Sequence, residues 1–439
     1  MKDSKNSGKT TPEFTPRRIA LAAASVIGQL KQGMVLFSCG YENDPYSRFE
    51  VLAGLGSVDS FVVPAGAFQA GHLKKLRKFL GGPPGWVFCC IGYDVKNGME
   101  KLSSKNPDRI GFPDLVFFRP AAVVGQRMGT FFTSGDNGVL SAFMQAVQQH
   151  HENSENLPVQ VHNAITEARY LEAVGKAKAY IQQGDIYEMN FCQEFFAETP
   201  EDFSPEQFWQ SLTEASPAPF SVFCRWHSHY LASASPERFL QKDCNRLISQ
   251  PMKGTIGRGK GKKEDLLMRQ RLLASEKERS ENVMITDLVR NDLSRVSEPG
   301  TVSVDELFGV YTFPQVHQMI STVSCRVRPE ADFTDLLSAT FPMGSMTGAP
   351  KIRAMQLIDE LESSRRGLFS GATGYLSPEG DLDMNVIIRS VIGCNQRKIL
   401  SFQTGGAITS DSVPEEEYRE SMLKASAIIH LLNPGHKNP

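Results

Sequence analysis

Apolar residues recur along this chain in two rhythms. From Glu167 to Gln183 they fall at helical spacing, with Tyr170, Leu171, Val174, Ala177 and Ile181 on one side, and Gly184 follows as a stop. Ile19–Ile27 has a similar amphipathic rhythm and leads into a strand-like run at Met34–Phe37. Short β-like runs at Trp86–Ile91 and Leu115–Phe118 are separated by Gly-Pro turns. Strands are then expected at Ile186–Phe195, Phe220–Arg225 and His229–Ala234, and a helix from Glu264 to about Val296. The remainder alternates: a strand-rich stretch 302–327, helices at 333–340 and 349–362, strands near 369–376, 383–392 and 398–404, and a last helix 414–432. Long strands mixed with helices, without a regular strand-helix-strand beat, predict an α+β layered domain and not a doubly wound sheet. Residues 1–15 read as a disordered tail, and the polar run His150–Asn156 as a boundary between regions 16–155 and 156–435.

Composition narrows the classes. The 439 residues are 41% hydrophobic and 22% charged, enough for one large or two medium cores, with a net charge of −2. No global basic field exists to gather nucleic acid or anionic lipid, and no apolar run approaches the ~20 residues of a membrane span. The basic run Gly257–Lys263 reads as a solvated loop. Eight cysteines without a Cys-x-x-Cys pair predict reduced, mostly buried thiols in a cytoplasmic enzyme. Arg17-Arg18 before Ile19–Ile27 has a twin-arginine look, but the amphipathic helix reading is preferred.

Several residues carry chemistry. Lys253 lies in Gln250–Thr255 (Gln-Pro-Met-Lys-Gly-Thr), between a proline and a Gly-Thr turn, sixteen positions after Glu237. Alone it reads as a surface lysine; buried among cations or apolar walls, it would be neutral and nucleophilic. Two acidic pairs stand at i, i+3 helical spacing, Glu278 with Glu281 and Glu417 with Glu420. Brought together they would repel unless a cation lay between them, and hard oxygen ligands favour Mg²⁺. Arg389 ends an apolar strand, where its charge needs a carboxylate partner, and Lys424 follows Glu420 on the same helix. Gln403–Ile408, with Gly405, Gly406 and Ala407, reads as a turn offering backbone N–H groups to an oxyanion. Gly344–Lys351, which contains Thr347, is a second such turn before a helix, and it lacks the ending of a nucleotide P-loop.

The segments Ala234–Phe239, Pro251–Thr255, Glu281–Asp292, Gly344–Met355, Arg366–Tyr375 and Pro414–Ala425 resemble, in order, those of the chorismate-utilising enzymes. That family includes component I of anthranilate and aminodeoxychorismate synthases and the isochorismate and salicylate synthases. The resemblance implies a layered sandwich of two large, mainly antiparallel sheets with helices outside, the N-terminal region joining the catalytic region in one globule. At the position of Lys253 anthranilate and isochorismate synthases resemble one another in carrying alanine, whereas many aminodeoxychorismate synthases carry lysine. The resemblance therefore implies the aminodeoxychorismate branch, with anthranilate synthase component I as the alternative. It implies that Lys253 attacks C2 of chorismate, that Glu237 is the general acid/base, and that Glu278, Glu281, Glu417 and Glu420 hold Mg²⁺. Arg389, Lys424, Gly405, Gly406 and Ala407 would hold the enolpyruvyl carboxylate, with His317, Thr347 and Phe369 also at the substrate. Phe369 stands where relatives often have tyrosine, Met252 where isoleucine is usual and Ala407 where glycine is. Glu188 falls near the water-activating lysine of isochorismate synthases, and an acid there argues against water addition. No Gly-x-Cys-x-Gly elbow of a glutaminase is present, so ammonia is expected from a separate glutaminase subunit, component II.

Overall fold

The computed structural model describes residues 14–39, 44–149 and 158–435. Two antiparallel sheets, of eleven and ten strands, organise the chain, with His162–Asn163 pairing beside Glu188–Glu198 and Ser303–Thr312 beside Val316–Arg326 off the main order of each. The first runs in the order Gly348–Ala349, Glu188–Glu198, Ile399–Ile408, Ser390–Cys394, His229–Ser235, Phe220–Trp226, Gln32–Phe37, Val51–Leu55, Ala122–Arg127, Thr130–Gly135. The second runs Met252–Gly257, Val316–Arg326, Arg246–Ser249, Arg238–Asp243, Leu382–Val386, Ala372–Leu376, Val87–Ile91, Leu115–Arg119, Asp59–Val63. Strands from before residue 140 and after residue 215 pair directly in both sheets: Gln32–Phe37 with Phe220–Trp226, and Val87–Ile91 with Ala372–Leu376. The boundary expected at His150–Asn156 lies outside the described residues.

Period-two alternation divides the core. In Gln32–Phe37, Met34 and Leu36 face the other sheet, while Val35 and Phe37 face the helices outside. A strand buried on both faces reads as a continuous apolar run, which is why Met34–Phe37 is conspicuous in the sequence. Within the second sheet the Phe88 ring stacks on its cross-strand neighbour Phe118, with ring centroids 5.6 Å apart. A Cβ on Gly54 of the opposite sheet would come within 2.6 Å of Phe88, so glycine makes room for that ring. The helix Pro16–Leu30, capped by Thr15, buries Ile19, Val26 and Ile27, so the stretch after Arg17-Arg18 is core.

Several elements differ from the expected ones. The helix expected over 264–296 is two, Lys262–Ala274 and Glu276–Ser294, because Ser275 turns out of helical geometry and caps the second. The strand expected at 383–392 is likewise two, Leu382–Val386 and Ser390–Cys394, in different sheets. The chain crosses between them at 387–389, where Arg389 takes φ 50°. Gln403–Ile408 is no turn: residues 399–408 form one strand paired along its length with Glu188–Glu198. Helices Gly71–Leu80, Asn137–Gln148 and Pro205–Ala215 stand where no helix was expected. Six of the eight cysteines are buried, as expected for most of the thiols, while Cys244 is exposed.

Candidate active site

The chemistry gathers where two sheet edges meet. Met252–Gly257 is the terminal strand of one sheet, and Glu188–Glu198 lies next to the terminal strand of the other. Lys253 reaches from the first to the second, and its Nζ donates to Glu188 Oε1 at 2.8 Å. In place of the cations or apolar walls that would make it neutral, carboxylates surround it. Burial works to lower the Lys253 pKa, but the charges of Glu188, Glu281 and Glu237 outweigh it and hold the pKa above the ordinary lysine value. Lys253 is thus an ammonium at neutral pH in the resting site.

Glu237 lies in the link between His229–Ser235 and Arg238–Asp243, where the chain passes from one sheet to the other. Burial raises its pKa to about 7, against the hydrogen bond from Ser345 and the charge of Lys253. Ser345 Oγ donates to Glu237 Oε1 at 2.6 Å. A carboxyl of that pKa both gives and takes a proton near neutrality. Sequence reasoning missed Ser345, although it lies in the Gly344–Lys351 segment, because only the fold brings it to Glu237.

The helices Glu276–Ser294 and Pro414–Leu432 bring their carboxylates within electrostatic reach: Glu278 feels Glu420, and Glu281 feels Glu278. Burial raises Glu281 to about 7 and also raises Glu278 and Glu417, while Lys424 keeps Glu420 low against its own burial. A Cβ on Gly406 would lie 3.3 Å from Glu417 Oε2 and 3.9 Å from Glu420 Oε1. Clustered carboxylates, three of the four resisting ionisation and all hard oxygen donors, fit a hard divalent cation between the helices. Among the described residues a tighter group, Asp243, Cys244 and Asp381, brings three ligand atoms within 4.8 Å, but Arg48 pairs with both of its carboxylates.

Arg389 is the anion-binding candidate. Its guanidinium makes no hydrogen bond or ion pair with any described residue, and burial lowers its pKa. Its carbonyl accepts from Ala234 N–H at 3.1 Å, three residues before Glu237. Lys424 Nζ donates to Glu420 Oε1 at 2.7 Å and to the Gly405 carbonyl at 2.9 Å. That carbonyl points away from the Glu188–Glu198 ladder. Strand geometry sends the Gly405 N–H to the same side, and the neighbouring strand Ser390–Cys394 ends its pairing at Phe402. The free backbone N–H expected of a turn is here the free edge of a strand.

The structure brings Lys253, Glu237, the four glutamates, Lys424, Gly405 and Gly406 together. Other expected site residues are occupied by the fold. His317 Nε2 contacts Asp265 Oδ1 and its Nδ1 contacts Thr312 Oγ1, each at 3.0 Å. Asp265 also binds Arg258, so the basic loop 257–263 is tied to the following helix. Thr347 Oγ1 donates to the Met343 and Gly344 carbonyls. Phe369 is packed in the inter-sheet core, and Ala407 pairs with Asn190 in the ladder.

A family model for chorismate binding enzymes matches residues 54–430, and the chain belongs to that family. It is 37% identical over 366 residues to aminodeoxychorismate synthase component 1 of Klebsiella aerogenes, covering 81% of this chain and 78% of that protein. It is 33% identical over 442 residues to the protein of the same name from Escherichia coli (strain K12), covering 93% and 95%. Among solved structures, anthranilate synthase component I from Streptococcus pneumoniae TIGR4 is similar at TM-score 0.76 and 27% identity, over 88% of this chain and 93% of that one.

Proposed function

We propose that this protein is an aminodeoxychorismate synthase component I, converting chorismate and ammonia to 4-amino-4-deoxychorismate for 4-aminobenzoate and folate synthesis. The observation that carries the reading is the amine of Lys253 at the sheet edge beside Glu237, a position where an alanine would leave no nucleophile. The names of the relatives above support it. In this reading the Lys253 amine attacks C2 of chorismate as the C4 hydroxyl leaves with the proton of Glu237. Ammonia then adds at C4 and expels the lysine. Arg389, whose guanidinium has no partner among the described residues, binds the enolpyruvyl carboxylate, assisted by Lys424 and the Gly405 edge. Glu278, Glu281, Glu417 and Glu420 would hold Mg²⁺, whose charge would supply Lewis-acid polarisation of the ring carboxylate.

The ammonia comes from a separate glutaminase, as the "component 1" in the relatives' names suggests, and the protein works in the cytoplasm. No helix of the described residues is long and apolar enough to cross a membrane. The likeness to an anthranilate synthase structure favours a second reading, chorismate to anthranilate and pyruvate. Product analysis with chorismate, Mg²⁺ and ammonium separates the two: 4-amino-4-deoxychorismate is expected, and anthranilate as the main product would overturn the proposal.

A further inference from the structure

Lys253 cannot act as a nucleophile while it carries its third proton, and the group that touches that proton is Glu188. We propose that Glu188 is the base of the first step: its carboxylate takes a proton from the Lys253 ammonium and frees the amine for C2 of chorismate. This rests on the reading of Lys253 as nucleophile.

Geometry carries the assignment. The Lys253 Nζ to Glu188 Oε1 distance is 2.8 Å, and the Glu188 side chain is 2% exposed. Its Oε2 is buried and has no hydrogen-bond partner among the described residues. A buried carboxylate normally gathers several donors, and this one has the ammonium alone. When the ammonium turns to substrate, the anion is left without a donor unless it takes the proton. Glu188 is also held in place. It pairs in register with Ala349, Tyr187 N–H donates to the Ala349 carbonyl at 2.7 Å, and a Cβ on Gly348 would come within 2.1 Å of the Glu188 carbonyl oxygen.

The other charges facing Lys253 are Glu237, Glu278, Glu281 and Glu420. Glu237 is engaged with Ser345 and serves C4, and the other three belong to the carboxylate cluster between the helices. The step balances. Lys253 loses H⁺ to Glu188, the C2–N bond forms, the C4–O bond breaks, and the hydroxyl takes the Glu237 proton and leaves as water. When ammonia forms the C4–N bond, Lys253 departs as neutral amine and takes back the proton held by Glu188, and the surplus proton of the new ammonium returns to Glu237.

The test uses the full chain with chorismate and Mg²⁺ and no ammonium, quenched over time, with mass spectrometry of the Lys253 peptide. Wild type is expected to build up a covalent adduct. Glu188→Gln keeps the shape but cannot take the proton, so adduct formation should slow about 10²-fold with chorismate affinity unchanged. The residual rate should rise with pH up to about 7, as hydroxide replaces the missing base, and level off above it, where Glu237 loses the proton that the C4 hydroxyl needs. Glu188→Asp, which keeps a carboxylate, should fall between the two, and it carries the test if the glutamine variant does not fold. Adduct formation by Glu188→Gln at the wild-type rate at every pH, or by Glu188→Asp more slowly than by Glu188→Gln, would overturn the assignment and leave Lys253 as nucleophile. Absence of any adduct in wild type would instead overturn the Lys253 reading and this inference with it.

Discussion

At Glu237 burial and hydrogen bonding pull in opposite directions. Burial raises the pKa to about 7, and the Ser345 hydroxyl, by donating to the carboxylate, holds it from rising further. The protonated form is the one that assists departure of the C4 hydroxyl, so kcat/KM should fall as pH rises through about 7. Glu237→Gln is expected to lose about 10²- to 10⁴-fold in rate. Ser345→Ala removes a donor that favours the anion, so the descending limb should move to higher pH; a limb that stays or moves down would show that Ser345 does not tune Glu237. The Arg389 guanidinium has no partner among the described residues, and Arg389→Ala should raise KM for chorismate about 10- to 100-fold, the worth of a charge-assisted hydrogen bond. A change confined to kcat would place Arg389 elsewhere.

The elements that carry the site are two strands and two helices, and their glycines mark the close approaches. A Cβ on Gly405 would come within 1.9 Å of the Phe191 carbonyl oxygen, so Gly405→Ala must push the strand Ile399–Ile408 off its neighbour. It should cost about 1–3 kcal/mol, read as a lowered Tm, along with chorismate binding; a variant of unchanged Tm would contradict the tight pairing. Much at this scale was legible in the sequence. Glu278/Glu281 and Glu417/Glu420 showed their helical spacing, and Lys253 its stiff turn. The Gly405 segment was misread because consecutive glycines look the same in a turn and in a strand pressed against another backbone. Arg389 was seen, but not the crossing that isolates it, since an apolar run does not tell which sheet each half joins. The pairings of Ser345 with Glu237 and Glu188 with Lys253 span 108 and 65 positions, and no local pattern encodes them.

For the whole molecule, the two sheets place Lys253 and Glu188 on opposing edges, so the site depends on the packing between them. Phe88, fully buried in that layer, is expected to cost about 3–5 kcal/mol as Phe88→Ala. The molecule should then melt in one transition, because strands from both ends of the chain share each sheet. Two separable transitions would contradict shared sheets. The central claim is that the Lys253 amine carries out amination at this composite site. Its most direct test compares wild type with Lys253→Ala in chorismate, Mg²⁺ and ammonium, following 4-amino-4-deoxychorismate. The account predicts that the variant still binds chorismate but loses nearly all of that product, whereas formation at the wild-type rate would contradict it.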